Sequence, residues 1–143
     1  MSTILMRFIQ AQERTYSVAL EEIKNGRKQS HWMWYIFPQI QGLGYTSTAQ
    51  YYAIKDIEEA TEYLNNKVLG SRLVEICNEL LNLDSNDAYS IFGSPDCKKL
   101  KSCVTLFSQV EGANPVFLLV LEKFFDGNPD FRTLSILDKL PIK

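Results

Sequence analysis

The chain has 143 residues, 45% of them hydrophobic and 22% charged, with a formal net charge of −2. That is ordinary globular usage, at a length that suits one domain and buries a sizeable core without disulfide or metal staples. The small negative charge excludes a general nucleic-acid binder, and no apolar run approaches the ~18 residues of a membrane span.

The first predicted element is a helix from Ser2 to Lys24. Ile4, Phe8, Gln12, Tyr16, Leu20 and Ile23 recur every three or four residues and so share a face. Asn25-Gly26 ends it as a left-handed cap. Ser30 is expected to cap a short second element that stops before Pro38. Helical and alternating readings both fit residues 31–37, and the segment is too short to separate them. Gln39 to Thr48, rich in glycine and hydroxyls, is the expected functional loop.

Later starts are predicted at Asp56, with Glu58 and Glu59 in the first turn, at Gly70-Ser71, at Ser94-Pro95 and at Asn114-Pro115. Stops are predicted at Asn65-Asn66, Asn82, Gly93, Gly112 and Gly127. No strand, repeat or interdomain linker remains once these are placed. The expected fold is all-α, one domain over residues 1–143 with six to eight helices.

Cys77, Cys97 and Cys103 are odd in number and form no Cys-x-x-Cys. They read as core thiols in a reducing compartment, not a disulfide frame or a zinc cage. Residues 1–9 carry no leader pattern, so a soluble cytoplasmic protein is expected. No metal or cofactor is expected either. The glycines fit no phosphate-loop or dinucleotide fingerprint, and no Gly-x-Ser-x-Gly elbow presents a nucleophile to the only histidine, His31. Lys24, Arg27 and Lys28, and then Lys98, Lys99 and Lys101, form local basic clusters that suit a solvated face or an anion-binding rim.

The most distinctive stretch is Ser30-His31-Trp32-Met33-Trp34-Tyr35-Ile36-Phe37-Pro38-Gln39, which holds both tryptophans. Rings with polar tips, gathered beside a Gly42-Leu43-Gly44 turn and near Tyr45, Tyr51 and Tyr52, suit either a core wedge or the wall of a pocket. In the pocket reading, His31, Trp32, Trp34, Gln39, Tyr51 and Tyr52 contact a nucleotide- or ribose-like metabolite. The expected partner is then a small molecule, with neither a nucleic-acid polymer nor a membrane. In the other reading the aromatic segment is core, and the protein is a non-enzymatic binding or interaction module.

The decapeptide with its Gly-Leu-Gly turn resembles the central signature of the domain of unknown function 1810 family, also labelled calpastatin-like. Leu69 to Leu73, Ile91 to Asp96, Lys99 to Phe107 and Phe124 to Gly127 extend the resemblance over nearly the whole chain. Cys97 and Cys103-Val104 stand where that family usually has Asp and Ser-Met. The resemblance implies an all-α fold and no established activity. The calpastatin label implies disordered peptide inhibition, which a packed composition does not suit. A fainter similarity in motif order reaches the NADAR family, helical proteins linked to cleavage of N-glycosidic bonds: Phe37-Pro38, then Ser47 to Tyr52, then Asn86-Asp87-Ala88-Tyr89 before Gly93. Ala49 stands where that family carries its glutamate. Asp87 or Asp96 would then have to supply the carboxylate that stabilises an oxocarbenium-like state.

Overall fold

A computed structural model describes residues 5–139. Helix α1 spans Met6–Lys24, α2 Met33–Ile36, α3 Ser47–Tyr51, α4 Ile57–Asn65, α5 Lys67–Asn82, α6 Ala88–Phe92, α7 Asp96–Ser108, α8 Val116–Phe125 and α9 Phe131–Lys139. The described residues contain no strand, only an isolated parallel bridge between Ile40 and Ile54. The fold is all-α, as expected. Among the described residues there are nine helices, six of them of nine residues or more, in line with the expected six to eight; the other three, α2, α3 and α6, have four or five residues each, too few to show a period.

Helix α5 packs against α1, α4 and α8, and α7 packs against α4, α6, α8 and α9. One hydrophobic core joins them. Phe8, Gln12, Ala19 and Ile23 are the buried stripe of α1. Gln12 is the polar member of that stripe, and its hydrogen bonds explain why it is tolerated there. Its amide donates to the Tyr35 carbonyl at 2.7 Å and to the Tyr63 hydroxyl at 3.0 Å, while its oxygen accepts from Arg72 at 3.3 Å. At the far end of α5, the Lys123 ammonium donates to the carbonyls of Leu80, Leu81 and Leu83, supplying the partners that a helix C-terminus lacks.

Several boundaries follow local chemistry. Asp56 caps α4 by accepting the Glu59 N–H at 2.9 Å. Asn114 accepts the Val116 N–H at 2.9 Å at the start of α8. Gly26, at φ +78, closes α1 in a Schellman turn: its N–H bonds to the Ile23 carbonyl and that of Arg27 to the Glu22 carbonyl. Others need correction. Residues 2–4 of the expected first helix lie outside the described residues. Helix α5 starts at Lys67 under an Asn66 cap, not at Gly70-Ser71. Gly70 sits inside the helix because a Cβ there would lie 2.1 Å from the Leu64 carbonyl oxygen. Ser94 caps nothing; a cis peptide joins it to Pro95, and α7 begins at Asp96. Helix α7 ends at Ser108, before Gly112. Helix α9 has no counterpart among the predicted starts.

Ser30 does not cap α2 either. It is held by Glu22 of α1, which also takes the rest of the entry to the aromatic segment. The Glu22 carboxylate accepts the Gln29 N–H at 2.8 Å, the Ser30 N–H at 2.9 Å, the Ser30 hydroxyl at 2.5 Å and the Trp32 indole N–H at 2.9 Å. Trp32 itself is 0% exposed, packed near Phe37 and Phe92. With Trp32 fixed, Met33, Ile36 and Phe37 face inward, and Trp34 is left on the other side of the turn.

No helix among the described residues is long and apolar enough to cross a membrane, and no cluster of three metal-ligating side chains occurs among them. The three cysteines are free. Burial pushes the Cys77 and Cys103 thiols well above their usual range, as core thiols should be. Cys97 is only partly buried.

Partial burial raises the Glu22 pKa, yet the hydrogen bonds from Ser30, Gln29 and Trp32 outweigh it and hold the carboxyl down at about 2. A folded pKa below the unfolded value means stability that is present above about pH 4.5 and lost as pH falls toward 2. Glu22→Gln should flatten this part of the stability–pH profile by on the order of 1–2 kcal/mol, after allowance for solvent screening. Urea denaturation of both proteins between pH 7 and 2.5 checks it; parallel profiles would contradict it.

Candidate functional site

The site is built on the chain between α2 and α4. The Ile54 N–H bonds to the Gln39 carbonyl and the Gln41 N–H to the Ile54 carbonyl, both at 2.8 Å. These two bonds tie the ends of the intervening loop together. Beyond them comes the Gly-Leu-Gly turn. Gly42 adopts φ +105, a conformation that strains other residues. A Cβ on Gly44 would lie 2.7 Å from the Ala49 Cβ, so only glycine lets the turn close onto α3. The Thr46 hydroxyl caps α3 through the Ala49 N–H at 3.1 Å, and the Gln50 amide donates back to the Tyr45 carbonyl at 3.0 Å.

Arg7 of α1 straps the far end. Its guanidinium donates to the carbonyls of Tyr51 and Ala53, each at 2.7 Å, and pairs with the buried Glu59 at 3.3 Å. Glu59 in turn accepts the Lys55 N–H at 2.8 Å. Residues 51–55 are thereby fixed between α1 and α4.

The loop encloses a cavity of about 520 Å³ against the beginnings of α7 and α9. Trp34, Tyr45 and Tyr52 give it ring faces, and the amides of Gln39, Gln41 and Gln50 give it donors and acceptors. Its charged lining is Lys98, Lys99 and Arg132 with a single carboxylate, Asp130. A chain of net charge −2 thus presents a locally positive hollow. The Lys99 ammonium lies 4.3 Å from the Trp34 ring centroid and 3.4 Å from Asp96. It orients that indole by a cation–π contact. Burial, then the neighbouring Tyr51 and Tyr35, raise the Tyr52 pKa, so its hydroxyl stays neutral and able to donate.

Of the six residues read as ligand-binding, the structure brings Trp34, Gln39 and Tyr52 to this cavity. Trp32 is sealed in the core with its indole N–H satisfied. His31 is exposed and outside the lining, as is Tyr51, which is 59% exposed and meets Tyr52 edge-on at 4.8 Å between ring centroids. The two carboxylates read as catalytic lie outside it too. Asp87 is exposed and caps α6 through the Tyr89 N–H at 3.0 Å. Asp96 is held between Lys28 at 2.9 Å and Lys99 at 3.4 Å. Capping takes up one oxygen of Asp87, and ion pairs take up both oxygens of Asp96.

Sequence reasoning missed Asp130 and Arg132. Their signal was the capping pattern Asp130-x-x-Thr133, in which the carboxylate accepts the Thr133 N–H at 3.0 Å. It was obscured by the absence of a long apolar stripe after it.

These observations define a class: an all-α protein whose glycine–aromatic loop closes a basic, ring-lined cavity. The chain belongs to the family described as protein of unknown function DUF1810, which matches residues 2–137. It is similar to a solved structure, that of the conserved hypothetical protein Rv1873 from Mycobacterium tuberculosis, with 40% identity and a TM-score of 0.92 over 95% of this chain and 97% of that one. No curated protein matches the chain. The comparisons do not show the similarity to the NADAR proteins.

The two indoles should respond differently to deletion. Trp32→Ala empties a fully buried site and removes one of the four donors to Glu22, at a cost of about 3–5 kcal/mol. Trp34→Ala, half-buried at the cavity, should cost about 1 kcal/mol. Thermal or urea melts of the two variants measure the gap; equal losses would contradict the assignment.

Proposed function

We propose that the protein is a small-molecule binding module, and that its cavity takes an anionic, ring-bearing metabolite of the nucleotide or ribosyl-phosphate class. The observation that carries this reading is the convergence of Trp34 and Tyr52 with Lys98, Lys99 and Arg132 on one hollow of about 520 Å³. Flat rings stack on aromatic faces, and phosphate oxygens seek lysine and arginine. The volume falls in the range of metabolite and cofactor sites. Glutamine amides beside the rings suit the polar edge of a base.

The reading is one of binding. Asp87 and Asp96, the acids read for N-glycosidic cleavage, stand outside the cavity, and the one carboxylate that lines it, Asp130, is read as a ligand contact. The rival view of the aromatic segment as core describes its inward half, Trp32, Met33, Ile36 and Phe37, and leaves Trp34 for the ligand.

Tryptophan fluorescence tests the proposal, because Trp32 is shielded and Trp34 is not. Adenosine 5′-monophosphate and ribose 5-phosphate should each raise the melting temperature by mass action. The nucleotide should also quench emission saturably in the wild type and not in Trp34→Phe. Lys98→Ala with Arg132→Ala should weaken binding at least about tenfold, and added salt should weaken it further. A melting temperature and emission unmoved by any nucleoside or sugar phosphate would overturn it.

A further inference from the structure

We infer that Asp130 reads the sugar hydroxyls of the ligand, so that the cavity takes ribosyl phosphates in preference to their deoxy analogues. This rests on the reading of the cavity as a nucleotide-like site and deepens it. Asp130 is the one carboxylate in a lining that is otherwise cationic or neutral. Its placement is fixed from three sides. Its N–H donates at 2.9 Å to the hydroxyl of Thr105, a fully buried residue of α7. Its Oδ2 accepts the Ser102 hydroxyl at 3.2 Å, the Thr133 N–H at 3.0 Å and the Thr133 hydroxyl at 2.5 Å.

These donors serve the fold, and all of them use one oxygen. The other, Oδ1, takes no hydrogen bond from a described residue and is not sealed from solvent. None of the three cations lining the cavity forms an ion pair with Asp130. A carboxylate that lines the hollow and keeps one oxygen unbonded and open to solvent is an acceptor for O–H donors, and a vicinal diol offers two. Such bonds are charge-assisted and short. A phosphate would be drawn to Lys98, Lys99 and Arg132, while Asp130 repels it and accepts hydroxyl donors instead. The capping duty of Oδ2 and the ligand duty of Oδ1 are separable by substitution, since asparagine keeps an oxygen for the cap and places an amide nitrogen at the other position.

Isothermal titration of the full chain compares adenosine 5′-monophosphate with its 2′,3′-dideoxy analogue, in the wild type and in Asp130→Asn. The wild type should bind the ribosyl form about 10- to 100-fold more tightly, the range of a hydrogen bond to a charged group. Asp130→Asn should bind the two within about twofold of each other. Equal affinities in the wild type would overturn the role of Asp130 and leave the cavity reading standing. Asp130→Asn that weakens both ligands while keeping their ratio would reduce Asp130 to the cap of α9. Absence of binding by either nucleotide in the wild type would sink both readings together. Should Asp130→Asn fail to fold, the wild-type ratio alone decides.

Discussion

The structure turns on the carboxylate of Glu22. One side chain near the end of α1 gathers two backbone N–H groups, a hydroxyl and an indole N–H from the next ten residues. A buried indole N–H without a partner would cost about 1–3 kcal/mol, and Glu22, partly exposed at the core's edge, supplies that partner. The consequence is geometric. Trp32 is fixed inward as the residue that precedes α2, and Trp34, two residues or just over half a helical turn later, faces the other way.

A motif that suits either core or pocket is thus both, divided along its length. Trp32, Met33, Ile36 and Phe37 seal the interior. Trp34 and Gln39 line the hollow. The loop that completes the hollow is held at both ends by tertiary bonds, the Ile40–Ile54 bridge and the Arg7 strap. A long connection between helices is usually mobile because its backbone bonds to water. Here Arg7, Glu59 and Gln50 take up those backbone groups, and glycine at 42 and 44 permits the close turn. A loop held in this way has little conformational freedom left to lose, which lowers the ordering cost of the binding proposed for it.

What could be read from the sequence is what local chemistry decides. The stripe of α1, the Asp56 cap, the Asn114 cap and the Gly26 stop each depend on neighbours within a turn, and each is found in place. Ser30 and Gly70 were misread because their partners, Glu22 and the Leu64 carbonyl, come from outside the predicted element. Helices α2, α3 and α6 bury too few positions to leave a period. The same limit governs the site. Trp34, Gln39 and Tyr52 could be singled out by residue type near a glycine turn, but which tryptophan faces out depends on a carboxylate twelve residues before Trp34. Asp130 and Arg132 come to the cavity from the far end of the chain, through contacts of α9 with α7 that no local pattern encodes.

The most direct test of this account is acrylamide quenching of single-tryptophan proteins, Trp34→Phe to isolate Trp32 and Trp32→Phe to isolate Trp34, each with and without Glu22→Gln. The account predicts that Trp32 emission resists the quencher while Glu22 is present and becomes accessible without it, whereas Trp34 is accessible throughout. Trp32 quenched as readily as Trp34 with Glu22 in place would contradict it.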